Sequence, residues 1–388
     1  MDYASTTPTD KVVVKKMLPY FHKEFFNPSA LYAEGVRARK AIDEARKIIA
    51  GIVQTKPTEI IFTGSGTESD NLGIIGAARE IKKNLQKENK DFKPHVITTN
   101  IEHVAVLESF KQLEKEGFDI TYLPVDKKGL IKDSDVQKVL RPETILVSVM
   151  LANNEIGTIL PVRQIGVVLE QYKKSQNRIK TDYPYLHTDA SQAANYLEIN
   201  VDQLNVDLLT LDGSKIYGPK GIGCLIKKSY VPIQPILYGG GHEFGIRPGT
   251  ENVPLIAGFA RALEITQKLK EKESARLLEL QKYFIDTLSV EVPVATLNGD
   301  LNDRLPNNIN ICIPNLNSEF AVIQLDDLGI ACAATTACKN LSSGGNSYVI
   351  KALENNCEKS SLRFTFGRET TKKEIKKVID SLKKIVKN

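Results

Sequence analysis

Lys215 lies in the run Asp207-Leu-Leu-Thr-Leu-Asp212-Gly-Ser214-Lys215-Ile-Tyr217-Gly218-Pro-Lys220-Gly221, at the end of an apolar β-like stretch and against a Gly/Pro turn. A lysine that forms a Schiff base needs its amine held rigidly against a carbonyl, and a strand end followed by a tight turn supplies that rigidity. Upstream, His187-Thr-Asp189-Ala-Ser-Gln192 sets an aspartate at the end of another strand-like run. An aspartate facing a pyridinium nitrogen is the electronic partner of a pyridoxal phosphate ring. Lys215 and Asp189 are therefore the first candidates for cofactor chemistry. Taken alone, a lysine in this position is more often a surface residue beside a loop.

Three further strings bear on the choice. Thr63-Gly-Ser-Gly66-Thr67-Glu-Ser-Asp-Asn71 follows a predicted strand and opens a helix. Its small residues let backbone N–H groups approach an anion, so a phosphate site at Gly66 and Thr67 is the physical expectation, with a plain strand-to-helix turn capped by Thr67 as the equal alternative. His103 follows the strand ending at Thr99, where an imidazole can stack on a flat ring or move protons, although a lone histidine is more often structural. In Asn153-Asn154-Glu155-Ile-Gly157 an amide can bond a phenolic oxygen, and such a pair is also common turn chemistry.

The elements that must position these residues follow from periodicity. Strand-like segments at 59–63, 95–99, 119–125, 144–150, 185–190 and 207–211 alternate with helical patterns at 67–83, 104–115 and 162–173. That alternation predicts an α/β fold with a mainly parallel sheet covered on both faces, and function at the carboxyl ends of its strands. Gly66, Thr67, His103, Asn154, Asp189, Gln192 and Lys215 all fall at those ends, which favours the cofactor reading for the set. From about Val253 to Leu288 a long helical stretch, broken only by charge-rich turns, leads to a smaller α/β region with strands at 308–313 and 361–366, helix 318–328 and a terminal helix. The expected division is a large domain over 14–255 and a small one over 256–388, with residues 1–13 packing on the small one.

Composition narrows the class. No apolar stretch is long enough to span a bilayer, and Met1-Asp-Tyr-Ala-Ser-Thr-Thr-Pro8 lacks a basic segment followed by an apolar one, so neither a membrane span nor a signal peptide is expected and the cytoplasm is the expected location. The net charge of +5 is small, and the lysines between 372 and 387 alternate with Ile375, Val378, Ile379, Leu382 and Val386 at helical spacing. They form the solvated face of a helix, so direct nucleic-acid binding is not expected. Five cysteines, widely spread and without a CxxC pair, argue against a disulfide framework and against a metal site. Cys224 and Cys312, in apolar strand-like runs, read as packing residues.

The strings TGSGTESDN, NIEHVAVLESF, ANNEIGT, HTDASQ, SKIYGPKGIG, RPGTENVPLIAG and SLRFTFGR, in this order over essentially the whole chain, resemble the cysteine desulfurases, class V members of the fold-type I pyridoxal-phosphate enzymes. The resemblance implies a homodimer in which Lys215 carries pyridoxal 5'-phosphate, Asp189 pairs with the ring nitrogen and His103 stacks on the ring. It further implies that Asn154 and Gln192 contact the ring hydroxyl oxygen and that Gly66, Thr67 and Ser214 hold the phosphate together with Thr250 from the partner. Asn27 and Arg363 match the positions that bind the substrate carboxylate, a task suited to the planar arginine fork. Cys338 aligns with the cysteine that takes sulfur from L-cysteine as a persulfide, releases L-alanine and passes the sulfur to an acceptor protein, an iron–sulfur scaffold or a tRNA-thiolation protein. Cys332 is its nearest rival in sequence. The same resemblance admits other class V activities, a selenocysteine lyase or an aminotransferase, and a non-catalytic binding partner. Where the family presents Ser-x-His before the lysine, this chain has Asp212-Gly213-Ser214; Tyr32 stands for a histidine, and Ala334-Thr-Thr336 for a Ser/Gly-rich approach to Cys338. Asp212 is not expected to bind the phosphate, and weaker cofactor binding is expected to follow.

Overall fold

The apolar runs become the strands of a seven-stranded sheet in the computed structural model, which describes residues 1–334, 347–355, 357 and 359–387. In chain order the strands are β1 (Ile60–Thr63), β2 (His95–Thr99), β3 (Asp119–Leu123), β4 (Thr144–Ser148), β5 (Tyr185–Asp189), β6 (Leu208–Asp212) and β7 (Gly223–Lys227), arranged β1-β7-β6-β5-β4-β2-β3. The pairings from β6 through β3 are parallel, and β7 runs antiparallel between β6 and β1. Every residue of β1, β2, β4 and β7 is buried, as strands covered by helices on both faces must be. Gly223 opens β7 directly beneath the turn that leaves β1. A Cβ there would collide with the Ser65 backbone and lie 2.8 Å from Thr63 Oγ1, so only glycine lets the returning strand pass.

Two helices differ from the sequence reading. The helix after β1 begins at Gly66 with Ser65, not Thr67, as its cap: Ser65 Oγ accepts from Glu68 N–H at 3.2 Å. It runs Gly66–Asn71, opens into a π-turn at Leu72–Gly76 and continues as Ala77–Glu88. The stretch expected to be broken by charged turns is one uninterrupted helix, Val253–Glu291, 39 residues and about 60 Å long. Its Glu and Lys residues are good helix formers, and pairs such as Lys268–Glu264 and Arg276–Glu273 at helical spacing support it where no core does.

The first part of this helix buries Ile256, Phe259 and Leu263 in the core of the main sheet, together with Ile42 and Ile49 of helix Ala33–Val53. Its last turns bury Leu277, Leu280, Phe284 and Leu288 in a second core. That core lies on the antiparallel sheet β10-β9-β8, with β8 (Thr296–Leu297), β9 (Asn308–Cys312) and β10 (Ser361–Thr365), and is closed by Ile375, Val378, Ile379 and Leu382 of helix Lys372–Lys387.

The amino terminus stitches the two cores together. The Met1 amine donates to Ala331 O at 2.7 Å, and Thr365 N–H donates to Met1 O at 2.9 Å. A few residues on, Thr7 N–H reaches Ser214 O at 2.8 Å and Asp10 N–H reaches Tyr217 O at 3.0 Å. Ala4 and Ser5 are thereby held across the end of β6. One cysteine expectation is corrected: Cys312 is bonded to Cys357, 45 residues away, because β9 and the turn after helix Tyr348–Ala352 bring their Cα atoms to 5.8 Å. Sequence spacing carries no trace of that approach.

Candidate active site

A cleft of about 210 Å³ opens at the carboxyl ends of the parallel strands and gathers residues from distant parts of the chain. Gly66 and Thr67 enter from the helix after β1, His103 from the turn after β2, Asn154 from the loop after β4, Asp189 and Gln192 from the end of β5, and Asp212 and Lys215 from the end of β6. Arg363 on β10 and the residues Ala4 and Ser5 close the opposite side.

Lys215 Nζ donates to Ser5 O at 2.6 Å, and its own carbonyl accepts from Asn195 Nδ2 at 2.6 Å. Asp189 Oδ1 accepts from Ser191 N–H at 2.9 Å, and Gln192 Nε2 donates to Ala4 O at 2.9 Å. His103 caps the helix Val104–Lys115: its Nδ1 accepts from Ala105 N–H at 3.2 Å, which assigns the ring proton of a neutral imidazole to Nε2. Arg363, 2% exposed, donates to Asn154 O, Asp2 Oδ1 and Ser5 Oγ at 2.8–2.9 Å. The amine of Lys215 and the fork of Arg363 thus meet at Ser5.

The floor of the cleft is acidic. One ligand atom each of Asp70, His103 and Asp189 lie within 4.8 Å of one another. Burial, reinforced by the charge of Asp189, holds the Asp70 carboxyl well above the usual carboxylate range. Behind it, burial lowers His187 to about 3, with Ser148 Oγ 2.8 Å from Nδ1 and Thr210 Oγ1 3.1 Å from Nε2. The 3.6 Å approach of His187 Nε2 to Asp70 is therefore a contact between neutral groups and not an ion pair.

Glu102, next to His103, is fully buried, and burial pushes its carboxyl up to about 8 against the pull of Met150 N–H and the Thr99 hydroxyl. An acid whose folded-state value lies above its unfolded one keeps a proton that the unfolded chain sheds. Its contribution to stability is therefore lost as pH rises from about 4.5 toward 8. Glu102→Gln, which cannot ionise, should raise the melting temperature relative to the parent near pH 8 and change it little near pH 5. Parallel profiles for the two proteins in a calorimetric pH series would contradict this.

Not every residue singled out in the sequence comes to the cleft. Within one chain Asn27 is exposed, its Oδ1 occupied by Ser29 N–H at 2.8 Å, and Thr250 lines a separate cavity with Arg247 and Gly64. Ser214 turns its hydroxyl to Asp212 Oδ1 at 2.6 Å. Asp212, not expected to bind the phosphate, faces into the cleft and accepts Gly66 N–H at 2.9 Å. Cys332 is buried, and burial pushes its thiol up to about 12, far from a reactive thiolate. Cys338 lies outside the described residues. The described flanks of its segment are anchored on Arg363 and on the neighbours in sequence of two cleft residues, Asn154 and His103: Ala333 pairs with the Arg363 backbone, Ser347 Oγ donates to Glu155 Oε2 at 2.6 Å, and Tyr348 OH donates to Glu102 O. Sequence reasoning missed Asp2, Ser5 and Asp70. Asp70 had a signal, an acid one helical turn after Gly66 on the face toward β5, whereas the placement of Asp2 and Ser5 is purely tertiary.

A mainly parallel sheet whose strand ends carry a lysine, an aspartate and an imidazole into one cleft is the architecture of the fold-type I pyridoxal-phosphate enzymes. Over residues 1–378 the chain matches the family described as aminotransferase class-V. It is 41% identical to the cysteine desulfurase IscS of Dictyoglomus turgidum, covering 100% of this chain and 94% of that protein. It is 40% identical to the cysteine desulfurase IscS of Methanosarcina thermophila, covering 100% of this chain and 91% of that protein. Among solved structures, a NifS-like protein superposes with a TM-score of 0.87 at 30% identity, over 100% of this chain and 98% of the other. One described as SspA in complex with cysteine superposes with a TM-score of 0.77 at 32% identity, over 94% and 97%. The chain belongs to the class-V aminotransferase family, among its cysteine desulfurases.

Proposed function

We propose that this protein is a pyridoxal-phosphate-dependent cysteine desulfurase that converts L-cysteine to L-alanine and carries the sulfur as a persulfide on Cys338. The observation that carries the reading is the meeting of Lys215 and Arg363 at Ser5, which sets a nucleophilic amine and a carboxylate-gripping fork at the spacing of one amino acid. The rest of the donor set fits the cofactor. Asp189 offers a carboxylate for the ring nitrogen, His103 an imidazole for its face, Gln192 a side-chain amide, and Asn154 a buried Oδ1 with no partner among the described residues.

When bound, the cofactor supplies an electron sink for the carbon that bears the substrate amine. Lys215 would anchor it, and its amine, when free, would take and return the proton on that carbon. Arg363 exchanges Asp2 and Ser5 for the substrate carboxylate, and His103 is placed to hold or deliver a second proton. The Cys338 thiolate attacks the substrate sulfur: an S–S bond forms, the C–S bond breaks, and the electron pair left on carbon takes a proton to give alanine. The persulfide then passes to an acceptor protein, an iron–sulfur scaffold or a tRNA-thiolation protein. We read the chain as domains 14–255 and 256–388 of a cytoplasmic homodimer, in which Asn27 and Thr250, which do not line the cleft of their own chain, serve the partner's; among the described residues no helix is long and apolar enough to cross a membrane.

Two experiments test this. Purified protein mixed with pyridoxal phosphate should turn yellow and release alanine from cysteine, and failure of both would remove the reading. Arg363→Lys should leave the chromophore intact and raise the KM for cysteine by about tenfold to a hundredfold, because a point charge replaces a bidentate fork. An unchanged KM would separate Arg363 from the substrate.

A further inference from the structure

The carboxylate of Asp212 occupies the donors that a phosphate would use. Asp212 ends β6, and its Oδ2 accepts Gly66 N–H at 2.9 Å, while its Oδ1 accepts both Ser214 N–H at 2.7 Å and the Ser214 hydroxyl at 2.6 Å. Gly66 N–H is the first amide of the helical run that continues to Glu88, and Ser214 is the hydroxyl nearest Lys215 in sequence. All of these donors are directed at one side chain of this chain's own.

Packing shows that the arrangement is built in. A Cβ on Gly66 would come 3.1 Å from both Cβ and Oδ2 of Asp212 and 3.3 Å from Ser191 Oγ. Glycine at position 66 therefore leaves the room that the longer acid takes, and the two residues form a coupled pair. Asp189 lines the same cleft, so an incoming phosphate meets a second carboxylate besides Asp212.

We propose that Asp212 is a resident competitor for the cofactor's phosphate, so that phosphate enters only by displacing this carboxylate from Gly66 and Ser214. The cofactor is then held chiefly through its ring, by Lys215, Asp189 and His103, and the chain discriminates weakly between pyridoxal phosphate and pyridoxal. The inference rests on the cofactor reading above for its biological meaning, but its physical core concerns any phosphate.

The test compares wild type with Asp212→Ser and Asp212→Asn, the second keeping the shape and one acceptor should the first fold poorly. Binding of inorganic phosphate is followed by calorimetry, and binding of pyridoxal phosphate and of pyridoxal by absorbance. Both variants should bind inorganic phosphate and pyridoxal phosphate about tenfold or more tightly than wild type, with pyridoxal affinity unchanged. In thermal denaturation Gly66→Ala should cost less in the Asp212→Ser background than in wild type. Equal or weaker phosphate binding by both variants, or an equal cost of Gly66→Ala in both backgrounds, overturns the proposal. Tighter inorganic phosphate with no binding of either pyridoxal compound by any protein supports it while refuting the cofactor reading.

Discussion

Lys215→Ala is expected to remain folded, to form no yellow chromophore with pyridoxal phosphate, and to lose alanine formation by about 10⁴-fold or more, since one side chain both anchors the cofactor and moves the proton. The scaffold around it is independent of its amine. The turn is fixed by Gly213 N–H to Ile222 O and Gly218 N–H to Gly213 O, both at 3.0 Å, and by Thr7 N–H to Ser214 O. The side chain itself makes the 2.6 Å bond to Ser5 O, on the segment that the N-terminal contacts hold in place. The melting temperature should therefore move little while the chemistry disappears. A variant that still turned yellow and still desulfurated cysteine would show that another amine does the work.

Cys338→Ser should separate the two halves of the reaction. The chromophore and cysteine binding should persist, because Lys215, Asp189 and Arg363 are intact, whereas persulfide formation should be lost and alanine release should fall by about 10²-fold or more, a hydroxyl being a poor nucleophile toward sulfur. No described cysteine is poised to replace it. Burial raises the thiols of Cys224 and Cys332, and Cys312 is joined to Cys357. Ala333 is anchored on Arg363, which lines the cleft, and Tyr348 on Glu102, next in sequence to His103 of its lining. Cys332→Ser should leave persulfide formation intact, and a loss there equal to that of Cys338→Ser would assign the sulfur to the wrong residue.

What the sequence made legible was whatever depends on short-range pattern. Continuous apolar runs such as Thr144–Ser148 announce buried parallel strands, and a parallel sheet carries their ends to one edge, so Gly66, His103, Asn154, Asp189 and Lys215 could be placed together before any coordinates. What stayed hidden depends on contacts across hundreds of residues. The Arg363 contacts to Asp2 and Ser5 and the Cys312–Cys357 bond have no periodic signature. Helix Val253–Glu291 was legible in its apolar half and misread in its charged half, where helix propensity and ion pairs, not burial, carry it. The charge of Asp212 is plain in the sequence, but its direction is set by Gly66 and Ser214, one of them on a different strand-to-helix turn.

Sulfur transfer to Cys338 can be read by mass spectrometry of the cofactor-loaded protein after addition of L-cysteine. The peptide containing Cys338 should gain the mass of one sulfur atom that a thiol reductant removes, and the peptide containing Cys332 should be unchanged. Alanine released with no sulfur on Cys338, or sulfur found on Cys332 in its place, would contradict it.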